Sequence, residues 1–112
     1  MKLIVHANEE TPVRTPDGAD RRVLSYGENI MLVQFNFDAG IESWEHSHVH
    51  EQIGYVVSGE IEFYMEGNKP VHLEPGGSYY VPSNVRHNIK TLAPTVLVDC
   101  FTPIREDFLN QG

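Results

Sequence analysis

The sequence is poor in cysteine, in positive charge and in long apolar runs, and each shortage excludes a class of protein. A single cysteine, Cys100, cannot form an internal disulfide, so a reducing compartment such as the cytoplasm is the simplest expectation. Eight lysines and arginines stand against 16 acidic residues, and the net charge of −8 argues against nucleic acid or an anionic membrane surface as a partner. No apolar stretch approaches the ~20 residues that a membrane span needs. The N-terminal segment MKLIVHANEETPVRT does not resemble a secretory signal.

Proline and glycine recur at short intervals and separate runs that are rich in β-branched and aromatic residues. The runs are RRVLS, IMLVQFNF, QIGYVVS, EIEFYM, SYYVP and TVLVDCF. Short strands between such turns are typical of an all-β sandwich or barrel. A helical pattern is expected only in the tail REDFLNQG, and no linker or repeat interrupts the chain. We therefore predict a single all-β domain over residues 1–112.

Three of the six histidines fall within five positions of the segment WEHSHVHEQ, at His46, His48 and His50. On an extended strand, alternate side chains share a face, so His46, His48 and Gln52 are expected on the same side. A face of clustered imidazoles is poorly explained by packing and indicates a metal site. His50 has the same parity but stands where the chain is expected to turn, so a loop position is favoured for it over ligation.

The other histidines divide into one candidate ligand and two surface residues. His6, in an expected N-terminal strand, and His72, after the turn EGNKP, are interpreted as solvated. His87 follows the turn PSNV, in which Asn84 tolerates a left-handed backbone almost as well as glycine. Such a turn can aim His87 back into the barrel.

The last run, TVLVDCF, places an aspartate in an apolar strand. Burying the Asp99 carboxylate is costly unless it is paired or used in catalysis. Two interpretations stay open: an aspartate at a strand end bonded to backbone amides, or a general acid/base. Phe101, on the same face, would be a pocket wall. Arg105 either clamps a substrate carboxylate or forms a salt bridge with Glu106 or Asp107.

These residues resemble the cupins, whose fold is a small double-stranded β-helix, or jelly-roll barrel. The first cupin motif, G-x5-H-x-H-x3,4-E-x6-G, is matched at Gly40, His46, His48 and Gly59, with Gln52 in place of the glutamate. The resemblance implies that the domain predicted for residues 1–112 is an all-β cupin barrel.

The second cupin motif, G-x5-P-x-G-x2-H-x3-N, is matched at Gly76, Pro82 and His87. Asn84 replaces its second glycine and Thr91 replaces its asparagine.

The resemblance implies four ligands for one divalent transition metal: His46, His48, Gln52 and His87. Zinc, nickel, cobalt, iron and manganese all suit such donors. A glutamate ligand would cancel one unit of the ion's charge. The neutral amide of Gln52 would leave the full divalent charge, and so a stronger Lewis acid.

The C-terminal stretch DCFTPIREDFL, together with HSHVHEQ, is similar to the small pectin-degradation cupins of the KdgF type. That resemblance implies conversion of 4,5-unsaturated monouronates, released from pectin or alginate, to a linear 5-keto-4-deoxyuronate. It implies active-site roles for Asp99, Phe101 and Arg105. Asp99 would move the proton, while Arg105 and Phe101 would hold a small anionic sugar.

Two rival functions remain at this point, and both keep the cupin fold. A site of three histidines and a glutamine also suits a metal-dependent dioxygenase, which would need oxygen. A cupin can also bind a sugar or effector without catalysis, in which case Asp99 would have no turnover to support.

A homodimer is expected because the strands are apolar on both faces. In the run QIGYVVS, Ile53, Tyr55 and Val57 point away from the face that carries Gln52. One of the two faces can cover the barrel core, and the other is left for a partner.

Overall fold

The computed structural model describes residues 1–110, and these residues form an antiparallel β fold with two short helical turns. The strands are β1 (Val13–Arg14), β2 (Ala19–Tyr26), β3 (Met31–Phe37), β4 (Glu51–Ser58), β5 (Ile61–Met65), β6 (Val71–Leu73), β7 (Ser78–Val81), β8 (His87–Thr91) and β9 (Thr95–Thr102). A 3-10 helix covers Ala7–Glu9 and helix α1 covers Glu106–Leu109. The prediction of an all-β jelly-roll fold is confirmed.

Two sheets pack face to face around the core. The larger sheet has the strand order β1-β2-β3-β9-β4-β7, and the smaller has the order β6-β5-β8. Alternate side chains from both inner faces fill the space between them, as the period of two requires. The main core cluster contains Ala19, Phe37, Val56, Ile61, Phe63, Tyr79, Val81, Ile89 and Leu97.

Strand β4 shows how the sequence pattern separates the two faces of the larger sheet. Gln52, Gly54 and Val56 are buried, while Ile53, Tyr55 and Val57 keep about half of their surface exposed, at 56%, 47% and 48%. An apolar row of this kind on an outer sheet face is unusual for a monomer.

Several local expectations were wrong. The histidine segment is a loop before β4 and not a regular strand. His46 pairs with His87 in an isolated antiparallel bridge. His6 lies before the 3-10 helix and not in a strand. Strands β1, β6 and β8 did not stand out in the sequence because they are short or contain polar residues such as His72.

No helix within residues 1–110 has the length and apolar character needed to cross a membrane.

Gly54 occupies the centre of a three-strand row. It pairs with Tyr79 on β7 and with Asp99 on β9, so all three positions lie side by side on the inner face. A Cβ atom at position 54 would lie 2.0 Å from Cζ of Tyr79 and 2.3 Å from Oδ1 of Asp99. The missing side chain is therefore what allows Tyr79 to reach Asp99 across β4.

We expect Gly54→Ala to lower the free energy of unfolding by roughly 1–3 kcal/mol or more, because the added methyl overpacks a buried network. Gly27→Ala is the matched control, since a Cβ there meets no heavy atom within 4 Å. That variant should stay within about 0.5 kcal/mol of the parent chain. Urea denaturation measures both, and equal stability of the two variants would contradict the role assigned to Gly54.

Candidate active site

Three of the predicted ligands, His46, His48 and His87, come together at one end of the barrel, where their ligand atoms all lie within 4.8 Å of one another. The backbone sets this meeting. His46 and His87 exchange two backbone hydrogen bonds of 3.1 and 2.9 Å. Asn84, at φ 65°, donates its backbone N–H to the His48 carbonyl oxygen at 2.7 Å. The left-handed turn expected at Asn84 therefore ties the approach to β8 to the histidine loop.

Backbone carbonyl groups fix the orientation of all three imidazoles. Nδ1 of His46 donates to the Trp44 carbonyl at 2.8 Å, and Nδ1 of His87 donates to the Val85 carbonyl at 2.9 Å. Nδ1 of His48 donates to the carbonyl of residue 50, also at 2.9 Å. A carbonyl oxygen can only accept, so the proton sits on Nδ1 and the Nε2 lone pair remains for a ligand. Metal-binding histidines usually have this arrangement.

Gln52 brings a fourth donor to the cluster from the start of β4. Its Nε2 donates to Oδ1 of Asp99 at 2.9 Å, which turns Oε1 toward His48. Oε1 then lies 3.1 Å from Nε2 of His48. Both atoms carry lone pairs when His48 is neutral, and burial lowers the pKa of His48. Two acceptor atoms 3.1 Å apart repel each other, and a cation bound to both would remove that repulsion.

The protonation states also suit a metal. Burial lowers the pKa of His87 to about 4, so its imidazole is neutral at physiological pH. Its Nε2 is buried and has no hydrogen-bond partner within residues 1–110. A spread of 4.8 Å slightly exceeds twice a metal–ligand bond of about 2.1 Å, so small rotations would close the ligands on one ion. The donor set therefore fits a divalent transition metal.

His50 does not belong to the cluster of three histidines that could hold a metal ion. It lies in the loop, its ring centroid is 5.6 Å from that of His48, and its carbonyl accepts the His48 Nδ1–H. The structure thus places it as expected, in the loop. Its contribution is to orient a neighbouring ring.

Asp99 lies in the middle of β9, buried to 2% exposure and surrounded by side chains. The interpretation of an aspartate at a strand end bonded to backbone amides is wrong. Its Oδ1 instead accepts hydrogen bonds from Tyr79 at 2.7 Å and from Gln52 at 2.9 Å. Burial raises the pKa of Asp99 to about 6, although these two donors act in the opposite direction. A carboxyl group with such a pKa can both give and take a proton near neutrality.

Arg105 stands at the cavity wall and also forms one of the salt bridges that the sequence left open. It pairs with Asp107, through Nε at 3.1 Å and Nη2 at 3.0 Å, and not with Glu106. Of the five N–H donors of a guanidinium, two therefore go to Asp107 and three remain. The guanidinium also stacks over Phe108 at 4.1 Å and Phe101 at 5.1 Å from the ring centroids. Asp107 thus holds one edge of the fork, and the other edge remains for an anion.

A cavity of about 250 Å³ joins these groups. It is lined by His46, His87, Gln52, Asp99, Phe101 and Arg105, together with further aromatic side chains. Typical ligand pockets occupy about 300–1,000 Å³, so this one favours a molecule as small as a single sugar. The predicted catalytic, substrate-binding and metal-binding side chains therefore line or border one space.

Two further residues of the site did not stand out in the sequence. Tyr79 contacts Asp99, and the guanidinium of Arg21 lies over the Phe108 ring at 4.0 Å from its centroid. Arg21 is 7% exposed and lines the cavity. Alternation along β7 and β2 could have indicated that Tyr79 and Arg21 face inward. Each is next to a residue of the same type on the opposite face, Tyr80 or Arg22, so the sequence does not say which one is buried.

Known proteins are similar to this chain in fold and in sequence. The cupin domain family matches residues 33–101. The pectin degradation protein KdgF of Dickeya dadantii is 35% identical over 105 residues, which span 91% of this chain and 94% of that protein. The structure of KdgF from Halomonas sp. is 31% identical, with a TM-score of 0.88, over 94% of this chain and 98% of that one. An RmlC-like cupin from Shewanella frigidimarina is also 31% identical, with a TM-score of 0.90 over 96% of each chain.

The matched region contains the three clustered histidines, Gln52 and Asp99, and the two relatives named KdgF extend the similarity over nearly the whole chain. Sequence, barrel and histidine cluster agree: the chain belongs to the cupins and, among them, to the KdgF family.

Proposed function

We propose that this protein is a metal-dependent enzyme that converts 4,5-unsaturated monouronates from pectin or alginate breakdown to the linear 5-keto-4-deoxyuronate. One observation carries the proposal. A chain related over 91% of its length to a pectin degradation protein brings a histidine cluster, a buried carboxyl group and an arginine to one cavity. We place the reaction in the cytoplasm, because Cys100 is the single cysteine.

His46, His48, Gln52 and His87 would hold the metal. When bound, the ion supplies a Lewis acid that polarises the oxygens of the sugar. The amide of Gln52 adds no negative charge, so the ligand set leaves the ion's full charge to act on an anionic substrate. The backbone carbonyls that accept from Nδ1 would leave Nε2 of each imidazole to bind the metal.

Arg105 binds the carboxylate of the uronate with the edge of its guanidinium that Asp107 leaves available. A paired fork contact of this kind fixes both the position and the plane of a carboxylate. Phe101 lies beside it, 5.7 Å from the His48 ring centroid, and forms the wall between the arginine and the histidine cluster. The sugar ring is thereby held against the reacting groups.

Asp99 moves the proton. In the reaction the C1 hydroxyl loses its proton as the bond from C1 to the ring oxygen breaks, giving an aldehyde at C1 and an enolate at C5. C4 then gains a proton as the enolate becomes a ketone. The conversion therefore neither consumes nor releases a proton, and it needs no oxidant. A single carboxyl group with a pKa of about 6 can accept the first proton and return the second.

We also propose a homodimer formed through the outer face of the larger sheet. The row consists of Leu32, Ile53, Tyr55 and Val57, which are apolar or aromatic, are between 37% and 56% exposed, and come from the central strands β3 and β4. Burying this row in a second copy would remove it from water.

Sedimentation at micromolar concentration tests the dimer. We expect twice the mass of one chain for the parent protein and a monomer for Tyr55→Glu, because a charge at the centre of the row would have to be buried. Glu9→Ala, outside the row, is the control. A monomeric parent protein would contradict the proposal.

The metal site makes a prediction that does not depend on the substrate. His87→Ala should lower the affinity for a divalent metal by more than about tenfold, because loss of a ligand should cost at least as much as loss of a group that only orients one. Elemental analysis and competition with a chelator measure this. His72→Ala is the matched control, since His72 is exposed and bonds to Glu60. Full metal content in His87→Ala would show that His87 is no ligand.

The catalytic prediction concerns Asp99 and Arg105. Asp99→Asn should keep the metal and lower kcat by about 10²–10⁴-fold, the usual contribution of a general acid/base. Arg105→Ala should mainly raise KM, and Arg105→Lys should recover only part of the loss because an ammonium cannot make the paired contact. The assay follows loss of the conjugated double bond of unsaturated galacturonate.

Asp20→Asn and Arg14→Ala, which break an exposed ion pair on another part of the surface, serve as the controls for these variants. Activity should persist without oxygen, which separates the reaction from a dioxygenase. A metal-loaded parent protein that does not accelerate loss of the double bond would leave the fold assignment intact and reject the uronate function.

A further inference from the structure

The Tyr79 hydroxyl ends a continuous chain of hydrogen-bonded side chains that leads to the histidine cluster. Tyr79 donates to Oδ1 of Asp99 at 2.7 Å, and Gln52 donates to that same oxygen at 2.9 Å. The other end of the Gln52 amide lies 3.1 Å from Nε2 of His48. Tyr79 is thus two side chains removed from the cluster, and it has no place in the mechanism described above.

The surroundings of Tyr79 leave its hydroxyl little freedom. The residue is 8% exposed, and its ring stacks on Phe63 with centroids 4.6 Å apart and planes 21° apart. It reaches Asp99 across Gly54, where no side chain intervenes. Burial and the neighbouring carboxylate raise the pKa of Tyr79 well above its usual value, so the phenol keeps its proton and stays a donor.

Two donors on one oxygen restrict a carboxylate more than one donor does. The terminal torsion of an aspartate is broad, so a single hydrogen bond from Gln52 would let the group rotate. Within residues 1–110, both side-chain hydrogen bonds of Asp99 end on Oδ1, and the residue lines the cavity. With Oδ1 held from two sides, Oδ2 is the oxygen left to meet a substrate.

We propose that Tyr79 is a positioning residue: its hydroxyl locks the Asp99 carboxylate, and through it the Gln52 amide, in the orientation that serves both proton transfer and metal binding. The part of the inference that concerns proton transfer rests on the proposed function. The part that concerns metal binding depends only on the contact between Asp99 and Gln52.

The chain supplies a matched pair for the test, because Tyr79 and Tyr80 are adjacent tyrosines that each donate to a carboxylate. Tyr80 donates to Glu51 on the outer face, where it is 49% exposed. Tyr79→Phe and Tyr80→Phe therefore remove the same atom from opposite sides of one strand. The Phe63 stack survives in Tyr79→Phe, so the fold should be kept, and thermal unfolding checks this.

We expect Tyr79→Phe to lower kcat on unsaturated galacturonate, and the affinity for the divalent metal, by about 10–100-fold, as loss of outer-shell partners does. KM should stay nearly unchanged, because no contact to the substrate is lost. Tyr80→Phe should match the parent protein in all three quantities. A role in core packing alone would change the melting temperature and leave kcat and metal affinity unaltered.

A double-mutant cycle tests whether Tyr79 acts through Asp99. In an Asp99→Ala background, the further change Tyr79→Phe should have almost no effect on metal affinity, since the acceptor is already gone. A loss of equal size in both backgrounds would overturn the inference. So would a Tyr79→Phe variant that equals Tyr80→Phe in kcat and metal affinity.

The metal measurements keep this test separate from the test of the proposed function. If the parent protein does not convert the uronate, the proposed function is wrong, and metal affinity alone decides the inference about Tyr79. If the parent protein converts the uronate while Tyr79→Phe matches Tyr80→Phe, the function stands and the inference fails.

Discussion

The burial of the Asp99 carboxyl group is the constraint on which the rest of the site depends. A carboxylate taken out of water in the middle of an apolar strand is stable only when donors surround it or when it keeps its proton. Here two donors share Oδ1, and burial still raises the pKa of Asp99 to about 6. The neighbouring strand β4 accommodates both donors. Gly54 leaves the space through which Tyr79 reaches Asp99, and Gln52, an amide in place of a carboxylate, supplies the second donor. A glutamate at 52 would set a second negative charge against Asp99.

In many metal sites, side-chain carboxylates orient the histidine rings; here backbone carbonyls orient them. All three imidazoles of the cluster donate Nδ1–H to a carbonyl two residues away. Carbonyl oxygens of loops are not free to rotate as side chains do, and here the loops are pinned to each other by backbone hydrogen bonds between His46 and His87. The orientation of the rings is thus built into the path of the chain. Because backbone carbonyls are uncharged, orienting the rings in this way adds no negative charge beside the imidazoles.

How much of this could be predicted from the sequence differs between the fold and the site. The long strands were predictable because alternation of apolar residues is a strong signal, and the left-handed turn at Asn84 followed from its local chemistry. The meeting of His87 with His46 and His48 was carried by family motifs, since residues 41 and 39 positions apart meet only through the fold. Alternation of side chains predicts a shared face for His46 and His48 only on a strand, whereas the chain forms a loop there. Tyr79 and Arg21 could not be separated from Tyr80 and Arg22, because choosing between adjacent identical residues requires knowing which face is buried.

An anionic substrate has to enter a protein with a net charge of −8, and the structure shows why that charge does not exclude it. Exposed charges are screened over about 10 Å at ordinary salt, whereas charges beside an apolar cavity are screened much less. Arg21 and Arg105 both place their guanidiniums against the Phe108 ring, at 4.0 and 4.1 Å from its centroid. This ring comes from helix α1, and Asp107 on the same turn holds Arg105. The docking of residues 105–109 therefore decides whether the cavity presents the Arg105 guanidinium. Docking of residues 105–109 therefore raises the affinity for an anion that binds Arg105. By reciprocity, binding of that anion stabilises the docked conformation by the same free energy.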